Sequence, residues 1–428
     1  MSARQRAHPG RSARTGLALA VTALFCVACR DPSADAAASA PEPTESSEPN
    51  GTSDEPRTRT PVDEVAIPAE LRSPAPGSYE VHMEPAGTWH CRQPPERLAV
   101  LNVSEADMLL MLGEIDRLVA MGQVNLRRFT ALERVFYRQI PGLRVPLDGI
   151  TPLSQGGGID EEILYELNPD AVLVDPRIVV RYLGWSVDQL QRVVSRTGPF
   201  FGNFAGRRDE SMGDEYAQYT MQERAEIYAR MLRKEDACRS FLDYEARVID
   251  SVESRLPPPA ERPPVLLVQR GSDPAKGIFH LAEIPQDRVA NGIRQYQSLG
   301  LRQSFDAERL SLGQWSSADY ETLAAIDPEV IFVLQGIVRY AGPDEFHEQF
   351  VKAMQEHPLG RRIRAVRDGR VFPGGTIEEG PLAHLFQVEM AAQQLFPDRF
   401  GEWRWGEAPE QPLFDRNELA EVLGTRTR

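Results

Sequence analysis

Short apolar runs alternate with helical apolar patterns along most of the second half of the chain and much of the first. The runs at 97–103 and 118–121 predict strands, and the pattern between them predicts a short helix. Ser104 and Asp107 stand at the start of that helix with the spacing of a capping box. Strands that alternate with helices at this spacing indicate a parallel sheet with helices on its faces.

An internal repeat carries the same pattern twice. Residues 160–174 can be laid over residues 319–333 at an offset of 159. In each copy an Asp starts a helix, Leu residues supply its buried stripe, a Pro ends it and a β-branched strand follows. Two similar α/β lobes explain this repeat more economically than one long sheet.

A long helical tract separates the two copies. Residues 215–256 contain neither Gly nor Pro, and three prolines follow. The predicted fold class is therefore α/β, with two Rossmann-like lobes that have parallel-type sheets, one long bridging helix and a ligand cleft between the lobes. The predicted lobes cover residues 96–214 and 262–428, and a stiff bridge predicts limited movement between them.

The N-terminal segment has the layout of an export signal. A cationic stretch precedes an apolar run at 16–28, which is too short to span a bilayer of roughly 30 Å as a helix. The run ends at Cys29 in a sequence that resembles a bacterial lipobox, although Cys26 stands where Leu is usual. Residues 1–29 are predicted to be a lipoprotein signal peptide with lipidation at Cys29, and an ordinary signal peptide is the alternative. Residues 30–80, rich in Pro, Ser, Thr, Ala and Glu, are predicted to be a disordered tether.

Composition removes several classes of function. The formal net charge of −15 disfavours nucleic acid as a partner. Four cysteines are too few for a disulfide scaffold, and whether Cys91 and Cys238 pair is open. The histidines are scattered without the spacing of a metal site, so no metal ligands are predicted. No nucleophile elbow, phosphate loop or Cys-His arrangement is present, so we predict no catalytic residues and no enzyme.

Four stretches, taken in order, resemble the periplasmic substrate-binding proteins of ABC importers, of the helix-spanned type that captures ferric siderophores, cobalamin or haem. The stretches are residues 97–122, 160–174, 299–333 and 363–372. The resemblance implies an extracytoplasmic, lipid-anchored monomer that binds a small metal chelate, with a ferric siderophore as the first expectation and cobalamin or haem as alternatives. It implies no resident cofactor.

The resemblance also implies a membrane partner. In this family an acidic residue of each lobe docks onto arginines of the ABC permease, and Glu162 and Glu321 match because each lies seven residues before its Pro. Two exposed carboxylates on a rigid body would fix the orientation of docking. The simpler explanation is that acids in a first helical turn complement the helix dipole.

The candidate ligand residues follow predicted strands, because ligands of open α/β sheets bind outside the carboxyl ends of the strands. Arginines with aromatic side chains suit a bulky anionic chelate. Core packing is the competing explanation for the aromatic candidates. The candidates are Asn102, Ser104, Arg177, Phe201, Tyr219, Arg270, Trp315, Gln335, Arg339 and Glu378.

Two functions of other classes remain open at this point. An extracytoplasmic enzyme with paired Rossmann-type lobes would need a nucleotide-phosphate loop and a base, which we do not find. A ligand-free interaction or sensory lipoprotein would need a cleft poor in arginine and aromatic residues.

Overall fold

The structure, a computed structural model, describes residues 62–154, 158–204, 216–285, 292–306, 317–377 and 379–425. Strands and helices alternate through this part of the chain, as the apolar pattern predicts. The strands are β1 Tyr79–Met83, β2 Gly87–Cys91, β3 Leu98–Val100, β4 Leu118–Met121, β5 Thr151–Pro152, β6 Ala171–Leu173, β7 Val265–Val268, β8 Phe279–Ala282, β9 Ser317–Ala318, β10 Val330–Val333 and β11 Val371–Pro373.

Most of the described helices are short, and four of them exceed eleven residues. In chain order they are α1 Val62–Val65, α2 Val103–Met111, α3 Gln123–Val135, α4 Glu161–Leu167, α5 Pro176–Tyr182, α6 Val187–Val194, α7 Met221–Leu232, α8 Glu235–Arg255, α9 Arg294–Ser298, α10 Tyr320–Ile326, α11 Gly336–Arg339, α12 Pro343–Phe346, α13 Lys352–Glu356, α14 Arg364–Arg367, α15 Pro381–Leu395, α16 Pro397–Phe400 and α17 Arg416–Val422.

Two separate sheets confirm the predicted pair of α/β lobes. The first sheet has the order β5-β4-β3-β6 and is parallel throughout. The second has the order β11-β10-β7-β8-β9, in which β11, β10 and β7 are parallel and β8 and β9 are antiparallel. The strands β3, β6, β7 and β10 are buried along their whole length, as expected for strands covered on both faces.

The internal repeat is visible in the helix ends. The side chain of Asp160 accepts a hydrogen bond from the Glu162 amide at 3.0 Å, and that of Asp319 accepts one from the Thr322 amide at 2.8 Å. Helix α4 ends at Asn168 with a φ of 45°, and α10 ends at Asp327 with a φ of 44°. Both copies therefore use the same start, the same left-handed end and the same entry into a buried strand.

The tract predicted as one bridging helix is two helices in the structure. Helix α7 begins after Thr220, whose side chain and that of Glu223 form a capping box. It ends at Arg233, which has a φ of 56°, and α8 continues from Glu235. The break occurs without Gly or Pro, because the Arg233 backbone itself takes the left-handed conformation and its N–H donates to the Ala229 and Arg230 carbonyls. Its guanidinium lies 4.2 Å from the centre of the Tyr79 ring.

Folded structure begins before the boundary that composition predicts. Residues 62–80, assigned to the tether, include α1 and the first residues of the β1-β2 hairpin. Val65, Ala66 and Ile67 are buried, and the Ala66 carbonyl accepts a hydrogen bond from the Phe200 amide at 2.8 Å. A few apolar residues in a Pro-rich stretch were enough to attach it to the first lobe.

One hydrophobic cluster spans both lobes, and each lobe also has a cluster of its own. Helix α15 is buried along its entire length and packs against α2 of the first lobe, α9 of the second lobe and both bridging helices. Cys91 and Cys238 are buried free thiols in this structure. Within the described residues, no helix is both long enough and apolar enough to cross a bilayer.

Candidate functional site

The carboxyl ends of strands from the two lobes face a common region. Helix α3, which follows β4, packs against α11, which follows β10. The loop after β11 leads directly into α15, which packs against α2. These contacts place elements that follow strands of one lobe next to the other lobe, where ligands of open α/β sheets are expected.

Asn102 and Ser104 follow β3 at the start of α2. Asn102 is the half-buried residue before the first helical turn, and its side chain makes no capping hydrogen bond. Ser104 is fully buried, and its hydroxyl donates to the Glu105 carboxylate at 3.0 Å. The predicted capping box is therefore not formed, because α2 begins at Val103, and Ser104 is inaccessible to a ligand in this conformation.

Arg177 lies in the first turn of α5, beside a buried acid that the sequence reasoning missed. Asp175 accepts hydrogen bonds from the Arg177 and Phe204 amides at 2.8 and 3.0 Å and from the Tyr216 hydroxyl. Burial raises the pKa of Asp175. The Arg177 guanidinium lies 5.9 Å from the centre of the Tyr216 ring and is partly exposed. An Asp-Pro pair after a strand is a helix-start signal that could have identified Asp175.

Phe201 and Tyr219 support the β1-β2 hairpin. Phe201 is fully buried, and its ring meets that of Trp89 edge-on with 5.6 Å between centroids. Core packing, the alternative considered for Phe201, describes its environment, and a ligand cannot reach it in this conformation. The Tyr219 hydroxyl accepts a hydrogen bond from the Glu84 amide at 3.2 Å while its ring stays partly exposed.

Gln335 is the most constrained candidate in the second lobe. It follows β10 with a φ of 64°, is 3 % exposed, and donates its backbone N–H to the Gly375 carbonyl at 2.7 Å. Its side-chain Nε2 has no hydrogen-bond partner among the described residues. A left-handed conformation at a non-glycine residue is an uncommon strain that concentrates at functional sites. The structure thus joins Gln335 to the loop after β11.

Of the remaining candidates, two are described and lie in the second lobe. Arg270, after β7, is exposed, and Arg339 is exposed with its guanidinium 5.3 Å from the centre of the Tyr340 ring. Trp315, Glu378 and Cys29 lie outside the described residues.

Glu162 and Glu321 occupy matching positions in the repeat. Each lies in the first turn of its helix, α4 or α10, and each is exposed. An acid at this place can complement the helix dipole and still be available to a partner. The structure therefore leaves both explanations of these residues standing.

Buried ionic contacts tie the bridging helices to both lobes. Arg224 of α7 donates to Glu105 of α2 at 3.0 Å, with both side chains almost fully buried. His384 of α15 and Glu245 of α8 are 2.7 Å apart. Burial alone would raise the pKa of Glu245, but the hydrogen bond and charge of His384 outweigh it and lower that pKa. The partners are more than a hundred positions apart, so no spacing in the sequence indicates these pairs.

The described residues favour binding of an anionic or polar ligand. Exposed guanidinium groups at strand ends can pair with carboxylate or catecholate oxygens, and Gln335 adds an amide donor. Among the described residues, no group of three or more His, Cys, Asp or Glu side chains is placed to hold a metal ion.

Comparisons with known proteins give a consistent assignment. A family model described as periplasmic binding protein matches residues 98–375. No match was found among curated proteins.

Several solved structures share the fold at low sequence identity. A periplasmic binding protein from Veillonella parvula is 12% identical, with 74% of this chain and 97% of that chain covered and a TM-score of 0.52. The petrobactin-binding protein YclQ from Bacillus subtilis is 15% identical, with 74% and 98% covered and a TM-score of 0.50. The iron uptake ABC transporter substrate-binding protein PiuA from Streptococcus pneumoniae is 15% identical, with 74% and 99% covered and a TM-score of 0.50.

Proposed function

Since this chain belongs to the periplasmic binding protein family, we propose that it captures a metal chelate, in the first place a ferric siderophore, and delivers it to an ABC permease. The observation that carries the proposal is the meeting of strand ends from two α/β lobes, where α3 and α11 pack together. Such a region can enclose a ligand between two rigid halves. The chelate is cargo, and no resident cofactor is part of the proposal.

The chemistry of the candidate residues supports an anionic chelate. Arg177, Arg270 and Arg339 are partly or fully exposed after strands of both lobes. Guanidinium groups recognise carboxylate and catecholate oxygens through short, charge-assisted hydrogen bonds. The names of similar structures, a petrobactin-binding protein and an iron uptake protein, also favour an iron chelate. Cobalamin and haem are the alternatives within the same class.

Delivery to a permease is supported by the repeat. Glu162 and Glu321 are exposed at equivalent helix starts, so each lobe offers one carboxylate to a partner. The proposal places the protein outside the cytoplasm, because residues 1–29 have the layout of a lipoprotein signal that ends at Cys29. It also takes the protein to act as a monomer.

A binding titration tests the cargo. The purified protein would be titrated with ferrioxamine B, ferric petrobactin, cyanocobalamin and haemin, with its tryptophan fluorescence as the readout. We expect saturable quenching by a ferric siderophore. Saturation only by cyanocobalamin or haemin would replace the cargo, and no saturation by any of the four would reject the proposal.

A pair of arginine variants tests the site. Arg177→Ala should weaken binding of the ferric siderophore roughly tenfold, because one hydrogen bond to a charged group is lost. The matched control is Arg196→Ala, whose guanidinium packs 4.4 Å from the centre of the Tyr165 ring in the same lobe. Equal affinities of the two variants would remove Arg177 from the site.

A further inference from the structure

Helix α15 of the second lobe receives its N-terminal cap from the first lobe. The residue before its first turn is Gly380, which has no side chain to cap the helix. Asp107 of α2 accepts hydrogen bonds from the Leu382 and Ala383 amides at 2.9 and 3.0 Å. We call these two hydrogen bonds the interlobe cap. They join residues 275 and 276 positions apart in the chain.

The contact leaves no free space. Asp107 is fully buried, and the Tyr137 hydroxyl donates a third hydrogen bond to its carboxylate. A Cβ atom on Gly380 would lie 2.3 Å from the Asp107 Oδ2 atom, so a larger residue would displace the carboxylate or the helix start. Glycine at 380 is thus what permits the first lobe to reach the backbone of α15.

The loop between β11 and α15 is fixed from its own lobe as well. Gly375 accepts the hydrogen bond from the Gln335 amide at 2.7 Å. Glu379 accepts hydrogen bonds from the Gly292 and Arg294 amides at 3.2 and 3.3 Å. The loop follows β11 of the second lobe, and the interlobe cap holds its far end against the first lobe.

We propose that Asp107 is a positioning residue, which sets the place of Gly380 and of the start of α15 across the lobe boundary and makes that placement dependent on external pH. The geometry carries the first half of the proposal, because the Asp107 carboxylate of α2 hydrogen-bonds the first turn of the helix that follows the loop. Its consequence for cargo rests on the proposed function, whereas its consequence for the loop does not.

The charges around Asp107 set the direction of the pH effect. Burial raises the pKa of Asp107 from 3.8 to about 7, although hydrogen bonds from Tyr137 and the two amides lower it, and the charge of Glu379 raises it further. The charges of His384 and Arg294 lower the pKa of Glu379, against the effect of its burial, which raises it. A carboxyl with a raised pKa binds its proton more tightly in the capped state than when exposed. The closed arrangement with Asp107 buried is therefore most stable in acid, loses stability as pH rises from about 4, and is least stable above pH 7.

Hydrogen–deuterium exchange of the whole protein tests the proposal without a ligand. After correction for intrinsic exchange, protection of the Leu382 and Ala383 amides should fall roughly tenfold or more between pH 5 and pH 8, since each unit of pKa difference is worth a factor of ten. In Asp107→Asn the protection should be lower at pH 5 and should not change with pH. Protection and pH profile like those of the unaltered protein would overturn the proposal.

Asp175→Asn is the matched control. Asp175 also is a buried aspartate that caps a helix and accepts a tyrosine hydroxyl, but its partners Arg177 and Tyr216 do not belong to the second lobe. This variant should keep the pH profile of the Leu382 and Ala383 amides. If Asp175→Asn also lost the pH profile of these two amides, any buried aspartate would affect them, and the positioning role of Asp107 would be overturned.

A milder variant keeps the test decisive if Asp107→Asn does not fold. Tyr137→Phe removes a hydrogen bond that lowers the pKa of Asp107, so the midpoint of the pH profile should move upward. An unmoved midpoint would contradict the assignment of the profile to Asp107.

Titration with ferrioxamine B and ferric petrobactin at pH 6 adds the cargo readout. For the probe that binds the unaltered protein, Asp107→Asn should lower the affinity roughly tenfold, the cost of one hydrogen bond to a charged group. An unchanged affinity would reject the link from loop to cargo. If the unaltered protein binds neither probe, the ferric-siderophore proposal fails, and the exchange experiment still decides the role of Asp107.

Discussion

Arg224 and Arg239 lie on the two bridging helices in opposite environments. Arg224 pairs with Glu105 where both side chains are almost fully buried, whereas the Arg239–Asp236 pair is exposed, with 68% and 97% of the two side chains accessible. Removal of one partner from a buried pair leaves an uncompensated charge in the interior. The same removal at the surface leaves a hydrated charge.

Arg224→Ala should therefore lower the free energy of unfolding by about 3–5 kcal/mol, and Arg239→Ala by no more than about 1 kcal/mol. Urea unfolding of both variants and the unaltered protein measures the difference. Similar losses in the two variants would contradict the importance of burial for this pair.

Single residues also show where sequence reasoning stops. Arg177 and Gln335 lie after β6 and β10, where the strand pattern puts them, and their roles as ligand residues stay predictions. The burial of Phe201 reflects its packing against the Trp89 ring, a contact made in three dimensions. The same holds for Asp107, whose role needs a helix start from the other lobe.

At the scale of elements, the repeat is the part of the fold that sequence predicts best. Asp160 and Asp319 are local helix-start signals, and the strand that follows each copy is a continuous apolar run. The break between α7 and α8 was missed because an Arg, and not a Gly or Pro, takes the left-handed conformation that ends α7. Local signals thus fix the lobes, and tertiary contacts decide how the bridge is divided.

The two helix starts should be equivalent in energy. Asp160→Ala and Asp319→Ala should each lower the free energy of unfolding by about 1 kcal/mol at neutral pH, the usual value of such a cap. Urea unfolding of the single variants measures it. A loss in one copy only would contradict the structural equivalence of the repeat.

The cap at Asp319 should also depend on pH. Hydrogen bonds from Thr322 hold the pKa of Asp319 below its ordinary value. Its contribution is then complete above the ordinary pKa of about 4 and is lost as pH falls below it. The difference in unfolding free energy between Asp319→Ala and the unaltered protein should shrink when urea unfolding is repeated near pH 3. A constant difference would contradict this assignment.

At the scale of the whole molecule, α15 joins the lobes into one body. Its burial along its entire length and its packing on α2 and both bridging helices agree with the limited lobe movement that a stiff bridge predicts. Two carboxylates on such a body keep a fixed relation to each other, which would fix the orientation of the proposed docking.

The docking role is tested by uptake. The double variant Glu162→Ala/Glu321→Ala should strongly reduce cellular uptake of the ferric siderophore and leave its affinity for the isolated protein unchanged. Glu166→Ala, at an exposed position later in α4, is the control and should leave uptake unchanged. Equal uptake by the double variant and the control would leave only the helix-dipole role.

The buried thiols of Cys91 and Cys238 can report how often the chain around each of them opens. Burial raises the pKa of Cys91 to about 12 and that of Cys238 to about 11, so the reactive thiolate is scarce while the protein is folded. Alkylation by iodoacetamide should then proceed only as fast as the surrounding chain opens. Mass spectrometry of the modified peptides would time the opening of the hairpin separately from that of the bridge.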